Sequence, residues 1–410
     1  MKFPQIQKTE AEVLLQTYDR YPVALSHGRG VHVYGTDGTR YLDFLSGIGV
    51  MALGYSHPAI TRVIREQSAK LVHSSNLFYT PFQGRLAREL ERLSGLDRAF
   101  FCNSGTEAWE AALKIARAFA RAKHGRRRPR FLALENSFHG RTIGALATTF
   151  TKKYREPFAP LMPGVTFVKF NDASDLRRKF SDEVCAICVE TVQGEGGVYP
   201  VSSEFFAEAK RLARGSGALL IVDEIQCGLG RTGRMFAYQR HGLAPDIVTL
   251  AKPLAAGLPL GAVLVRERVA SAIKPGMHGT TFGGGPLACA VALEVLRVLE
   301  REGLVENAKR MGDYFLAKLR ELRRKEASIV DVRGLGLMVA VELGSAELAK
   351  GVHRRMLERG IILNRTHETT LRFLPPYIVE RRHIDQAVAA LGEALGACAR
   401  PRQGISNARP

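Results

Sequence analysis

The feature that most constrains this chain is a set of short segments apolar at consecutive positions, not alternate ones. Residues 131–135, 184–190, 218–223, 246–251 and 262–265 are runs of this kind, bounded by Gly, Pro or charged residues, with helical segments between several of them. A strand apolar on both faces has to be covered on both faces. The pattern therefore predicts an α/β fold, a mostly parallel sheet flanked by helices. Residues 30–45 read instead as a β-hairpin turning at Thr36-Asp37-Gly38. After Pro286 the pattern changes. A helix over 287–301 carries Val291, Val295, Val298 and Leu299 at helical spacing. A second helix follows, then strands near 328–331 and 336–342, then a last helix with Ile384, Val388, Leu391 and Leu395 on one face. That is a smaller α+β unit. The expected division is an N-terminal segment (1–60) packing with the small domain, a large domain (61–285), a C-terminal small domain (286–397) and a disordered tail (398–410).

Composition removes several function classes. With 410 residues, 46% hydrophobic and 24% charged, the chain is not mainly disordered, collagen-like or a coiled coil. No apolar run approaches the ~20 residues that span a bilayer. The longest, 254–265, is broken by Gly257, Pro259 and Gly261. The opening MKFPQIQKTE lacks the apolar stretch of a signal peptide, and six cysteines are too few for a disulfide framework, so the expected compartment is the cytoplasm. The charge is the unusual quantity: 59 Lys and Arg against 40 Asp and Glu, a net +19. A nucleic-acid binder has to be weighed against that number. The basic residues are spread along the chain, however. The one dense run, Arg126-Arg127-Arg128-Pro129-Arg130, reads as a loop and has no interleaved aromatic to stack on a base. A basic surface that attracts small anions is the favoured reading, with no nucleic-acid and no membrane partner.

Three segments carry chemistry. In Asn103-Ser104-Gly105-Thr106-Glu107, Ser104 and Glu107 have capping-box spacing ahead of an alanine-rich helix, and Gly105 lets a ligand approach the free amides, which suits a phosphate. Asp223-Glu224-Ile225-Gln226 closes a buried strand, where ligands of open α/β sheets sit; Asp223 could pair with a buried cationic nitrogen and Gln226 could donate to a ring oxygen. Lys252 ends another apolar strand before the Gly-rich LAAGLPLGA, and desolvation there favours the neutral amine of a Schiff-base lysine. Together, a phosphate cradle, a carboxylate for a pyridinium nitrogen and a strand-end lysine are what pyridoxal 5'-phosphate requires.

With these residues assembled, the chain resembles the class III (ornithine-type) pyridoxal-phosphate-dependent aminotransferases of fold type I, over residues 30–395. The matching motifs are LDFLSGIGVMALGYSHP, NSGTEAWEAALKIAR, FHGRT, ETVQGEGG, DEIQCGLGRTG, the AK of Lys252, GTTFGGGPLA and LRFLPPYIV, in that order. The resemblance implies that Gly105 and Thr106 hold the cofactor phosphate, Phe138 and Ile225 cover the two ring faces, Asp223 pairs with the ring nitrogen, and Gln226 bonds the ring hydroxyl. Lys252 would carry the cofactor covalently. Thr281 would reach the phosphate of a neighbouring subunit, which implies a homodimer with shared sites. Arg141 resembles the residue gripping the carboxylate remote from the reacting carbon, Arg372 the residue taking the α-carboxylate of glutamate, and Glu195 the switch that neutralises Arg372. Thr280 would touch the substrate beside the cofactor.

Phe138, GTTFGG and NRTHETTLRFLPP resemble the members that take an acylated ornithine, N2-acetyl-L-ornithine, as donor and 2-oxoglutarate as acceptor. Succinylornithine, acetyl-lysine, ornithine and 4-aminobutyrate are the alternative donors. The chain departs from the family pattern at Trp109, Thr191, Ala255-Ala256 and Gly285, none of which is a reacting group.

Other motifs are decoys. Gly228-Leu-Gly230-Arg-Thr-Gly233 spells a dinucleotide fingerprint, but it follows a strand already ended at Asp223 and opens no convincing helix, which argues against an NAD oxidoreductase. Cys185 and Cys188 have C-x-x-C spacing inside an apolar strand and read as core residues. His57, His73, His278 and His367 show no metal spacing, and no metal is expected.

Overall fold

The computed structural model describes residues 2–125 and 128–399. Its centre is a seven-stranded sheet in the order Arg98–Cys102, Gly261–Val265, Ile247–Leu250, Leu219–Asp223, Val184–Glu190, Arg130–Leu134, Val165–Val168. Gly261–Val265 runs antiparallel to both its neighbours, and the five strands on its other side are mutually parallel. The mostly parallel sheet expected from the apolar runs is present. Every residue of Val184–Glu190, Leu219–Asp223 and Ile247–Leu250 is buried, as strands covered on both faces must be.

The two strands that sequence reading did not anticipate, Arg98–Cys102 and Val165–Val168, are the sheet's edges. Each is only partly buried, so neither has the unbroken apolar signature of the central strands.

The expected hairpin forms from His32–Gly35 and Arg40–Asp43, with Asp37 Oδ1 accepting from the Thr39 amide (3.0 Å) and Gly38 at φ 85° in the turn. It is wider than expected. Leu25–Arg29 pairs on one side and Ile361–Ile362 runs parallel on the other, so the start and the far end of the chain share one sheet. A third sheet joins Ile329–Leu335, Met338–Leu343, Thr370–Phe373 and Asn364–Thr366. The last helix, Arg381–Ala399, buries Ile384, Leu391 and Leu395.

Two expectations need correction. Residues 398 and 399 belong to that last helix and not to a disordered tail; the rest of the tail, 400–410, lies outside the described residues. In the basic run, Arg126 and Arg127 also lie outside them. Arg128 and Pro129 lie in a loop as expected, with Arg128 buried and its Nη1 donating to the Ser216 carbonyl (3.0 Å), whereas Arg130 opens a strand and stays exposed.

The third sheet is clamped by the helix Leu304–Arg323. Gly312 in that helix faces the turn at Gly336 so closely that a Cβ would fall on the Gly336 carbonyl. Alanine is a better helix former than glycine by about 1 kcal/mol. Gly312→Ala is nevertheless expected to destabilise the fold by about 1–3 kcal/mol, because backbone cannot yield as a side-chain tip can. A thermal-unfolding midpoint lower than wild type checks this; a higher one would mean that propensity wins.

Candidate active site

Parallel register sets the first part of the site. Asp223 ends its strand level with Glu190 on one neighbour and Thr249 on the other. The buried Asp223 carboxyl accepts from the Ile225 amide (3.0 Å) and Thr249 Oγ1 (3.2 Å) through Oδ1, and its Oδ2 lies 2.7 Å from His139 Nδ1. Glu190 accepts from the amides of Phe138 (2.9 Å) and Gly194 (3.2 Å). Burial, and then the nearness of Asp223, push its carboxyl up to about 8, so it keeps its proton at neutral pH. Glu224 points away, accepting from the Ala237 and Tyr238 amides (2.8 and 2.9 Å) and from Thr191 Oγ1 (2.8 Å), and burial pushes it up to about 7. Thr191, one of the departures from the family pattern, thus satisfies a buried carboxyl through its hydroxyl.

The second part is the start of the helix Gly105–His124. Ser104 caps it by accepting from the Glu107 amide (3.3 Å). The expected capping box is only half made: Glu107 accepts from the backbone and side-chain nitrogens of Asn103 (2.6 and 3.0 Å), not from the amide of Ser104. The amides of Gly105 and Thr106 have no carbonyl one turn behind them and are free for an anion. A Cβ on Gly105 would press to 2.9 Å from the Ile225 side chain, so glycine here lets Ile225 close up against the helix start.

These elements open into one cavity of about 480 Å³. It is lined by Gly105, Thr106, Phe138, Arg141, Glu195, Asp223, Ile225, Gln226 and Lys252, along with Glu190 and His139. Lys252 begins a short turn, Lys252–Ala255, that ends with Ala256 in the left-handed region at φ 47°, a conformation a glycine would adopt without strain. Burial lowers the pKa of Lys252, partly opposed by Glu195 and Asp223.

Arg372 stands behind the cavity wall. It is 1% exposed, with Nη1 donating to Glu195 Oε1 (2.7 Å) and Gln226 Oε1 (3.1 Å) and Nη2 to Asn364 Oδ1 (2.7 Å). Burial alone would raise Glu195; the Arg372 guanidinium outweighs it and holds the carboxyl below its usual range. Arginine only donates, so Gln226 must present its oxygen there, and its amide nitrogen is the end that donates to Glu195. Arg141 is exposed and sits over Tyr154, with Cζ 3.5 Å from the ring centroid.

Two of the expected residues do not join this group. Thr280 Oγ1 accepts from Asn103 Nδ2 (3.1 Å) outside the cavity lining, and Thr281 is exposed on the same loop. Sequence reading missed Asn364, Tyr154 and the part played by Glu190. Only Glu190, closing an apolar strand, carried a signal. The decoys resolve as expected: Gly228 to Gly233 form successive turns with no helix, and Cys185 and Cys188 are buried and unpaired. Among the described residues, no group of three or more His, Cys, Asp or Glu is arranged to hold a metal ion.

Comparison with known proteins gives one answer. The family described as aminotransferase class-III matches residues 14–395. An acetylornithine aminotransferase of Methanocaldococcus jannaschii is 47% identical, over 94% of this chain and 96% of that protein. One of Archaeoglobus fulgidus is 45% identical, over 92% and 97%. Among solved structures, the ornithine aminotransferase of Toxoplasma gondii superposes with a TM-score of 0.93 at 35% identity, covering 97% of this chain and 96% of that one. The acetylornithine aminotransferase of Elizabethkingia anophelis gives 0.87 at 30%, covering 97% and 100%.

The lowered pKa of Lys252 leaves more of its amine unprotonated at a given pH than on a surface lysine. In cofactor-free protein at pH 8, a small aldehyde with borohydride is therefore expected to modify Lys252 ahead of the other lysines. Peptide mapping checks this; uniform labelling of surface lysines with Lys252 spared would contradict it.

Proposed function

The chain belongs to the class-III aminotransferases, a pyridoxal-phosphate-dependent family, and from that premise we propose that it moves the δ-amino group of N2-acetyl-L-ornithine to 2-oxoglutarate. The products are N-acetyl-L-glutamate 5-semialdehyde and L-glutamate, a step of arginine biosynthesis. The residues present fit the cofactor: free amides at the helix start beside Gly105, a carboxyl held by neighbouring donors, and a lysine whose pKa is lowered by burial. When bound, pyridoxal phosphate supplies an electron sink and a carrier for the amino group.

The chain's own residues supply the rest. Gly105 and Thr106 would hold the phosphate, Phe138 and Ile225 would cover the ring, and Asp223 would keep the ring nitrogen protonated. Gln226 would donate to the ring hydroxyl. Lys252 would hold the cofactor covalently and would take and return a proton at Nζ. Arg141, with no carboxylate partner among the described residues, grips the remote carboxylate, and the Tyr154 ring beneath it supports the guanidinium.

The substrate assignment rests on one observation, the Arg372–Glu195 pair. The donor brings a terminal amine with no adjacent carboxylate, and the acceptor brings an α-carboxylate to the same place. Arg372 is 1% exposed and fixed by Asn364 and Gln226, whereas the Glu195 side chain is 32% exposed. The arginine is therefore the anchored partner and the glutamate the movable one. With the donor bound, Glu195 neutralises Arg372; with the acceptor bound, the substrate carboxylate replaces Glu195.

The reading extends to assembly and organisation. Thr281 would reach the phosphate across a homodimer interface, with Thr280 beside the substrate. Exposed Leu77, Phe78, Tyr79 and Phe282 support that interface, on two segments joined by Asn76 Nδ2 donating to the Thr280 (3.2 Å) and Gly283 (3.0 Å) carbonyls. The division at residues 60, 285 and 397, with 61–285 as the cofactor-binding domain, is supported by the central sheet being drawn wholly from 98–265 and by the pairing of Arg40–Asp43 with Ile361–Ile362. A cytoplasmic location is supported by six free cysteines. Among the described residues no helix is long and apolar enough to cross a membrane.

Half-reactions followed by stopped-flow absorbance test the reading. Arg372→Ala is expected to weaken the glutamate/2-oxoglutarate half by about 2–5 kcal/mol, with a smaller loss on acetylornithine. Glu195→Ala should admit α-amino acids, since Arg372 would stand free for their carboxylates. Equal losses in both halves, with no new α-amino acid activity, would refute the switch. A panel of acetylornithine, succinylornithine, ornithine, acetyl-lysine and 4-aminobutyrate ranks the donors.

A further inference from the structure

Trp109 is one of the departures from the family pattern, and the fold puts it in contact with the site. Its indole is fully buried one turn inside the helix Gly105–His124 and lies parallel to the His139 imidazole, ring centroids 3.8 Å apart and planes inclined by 2°. Both rings are held from behind. Trp109 Nε1 donates to Thr148 Oγ1 (2.8 Å), which donates in turn to the Ala145 carbonyl (2.9 Å), and the His139 amide donates to Thr149 Oγ1 (3.0 Å). His139 Nδ1 lies 2.7 Å from Asp223 Oδ2 and is the donor to it, and its Nε2 is buried with no partner. One hydrogen bond leaves an imidazole free to rotate about it. What fixes the ring plane is the flat indole.

We infer that Trp109 is a positioning residue for the reaction: it clamps His139 in the plane from which Nδ1 orients the Asp223 carboxyl toward the cofactor's ring nitrogen. The clamp rests on the reading of Asp223 given above. Trp109 and Thr106 are three residues apart and share a helix face. A single rigid element thus sets both the phosphate cradle and, through His139, the opposite pole of the ring, and so fixes the distance between them. A small polar residue at position 109 would leave the imidazole with no flat surface and admit water beside it.

The test starts on cofactor-free protein. An imidazole N–H hydrogen-bonded to a buried carboxyl, shielded from water, gives a low-field proton resonance, assigned here by its loss in His139→Asn. Trp109→Leu keeps most of the apolar volume and removes the flat face. It is expected to lose or broaden that resonance, to weaken pyridoxal phosphate binding by about tenfold, and to lower kcat with little change in KM. Trp109→Phe, which restores an aromatic face, should recover the resonance and most of the affinity. A Trp109→Leu protein that melts earlier but keeps both the resonance and the cofactor affinity overturns the inference, since packing alone would then explain the tryptophan. Loss of the resonance in Trp109→Leu, together with wild-type cofactor affinity in Asp223→Asn, upholds the clamp and overturns the reading of Asp223 instead.

Discussion

The parallel register of three buried strands is the constraint on which the rest depends. Because Leu219–Asp223 pairs in step with Val184–Glu190 and Ile247–Leu250, the residues Asp223, Glu190 and Thr249 reach the same level at one edge of the sheet. A slip in this pairing would carry Asp223 away from Thr249 and Glu190 together. The register also places two acids side by side in a poorly solvated space. Burial resolves that conflict by keeping Glu190 protonated and leaving Asp223 to be held by the Ile225 amide, Thr249 and His139.

The cationic groups are arranged by the same logic of burial against pairing. Among the described residues Lys252 has no hydrogen-bond partner, and burial lowers its pKa; Arg372 is more deeply enclosed, and Glu195, Gln226 and Asn364 accept from it. A lysine can give up a proton where an arginine cannot, so each site has the residue its solvation requires. The asymmetry of the Arg372–Glu195 pair, one side chain enclosed and the other open, makes an exchange of carboxylates over a fixed guanidinium physically reasonable.

Two of the departures from the family pattern have local compensations. Thr191 donates to the buried Glu224, and Trp109 closes over His139; Gly285, which precedes the helix Pro286–Arg301 without a side-chain cap, has none. Ala256 has no visible compensation, since it occupies a left-handed conformation that favours glycine.

The sequence by itself determined the central strands, the helix start at Ser104, the hairpin around Gly38 and the side chains, Asp223 and Lys252 among them, that line the cavity. Each of these is written locally, in consecutive apolar residues, in a cap, or in a side chain whose chemistry has few substitutes. The edge strands were not legible, because half-exposed strands lose the unbroken apolar pattern. Nor was the partnership of Arg372 with Asn364, of Arg141 with Tyr154, or of Trp109 with His139. Those pairs join residues 8 to 30 positions apart through turns and sheet edges. Glu107 turning to Asn103 was a choice between two nearby donors that spacing alone could not make. Only the tertiary structure decided them, because a contact between distant residues depends on how whole elements pack, and a side chain's type records its chemistry but not its neighbour.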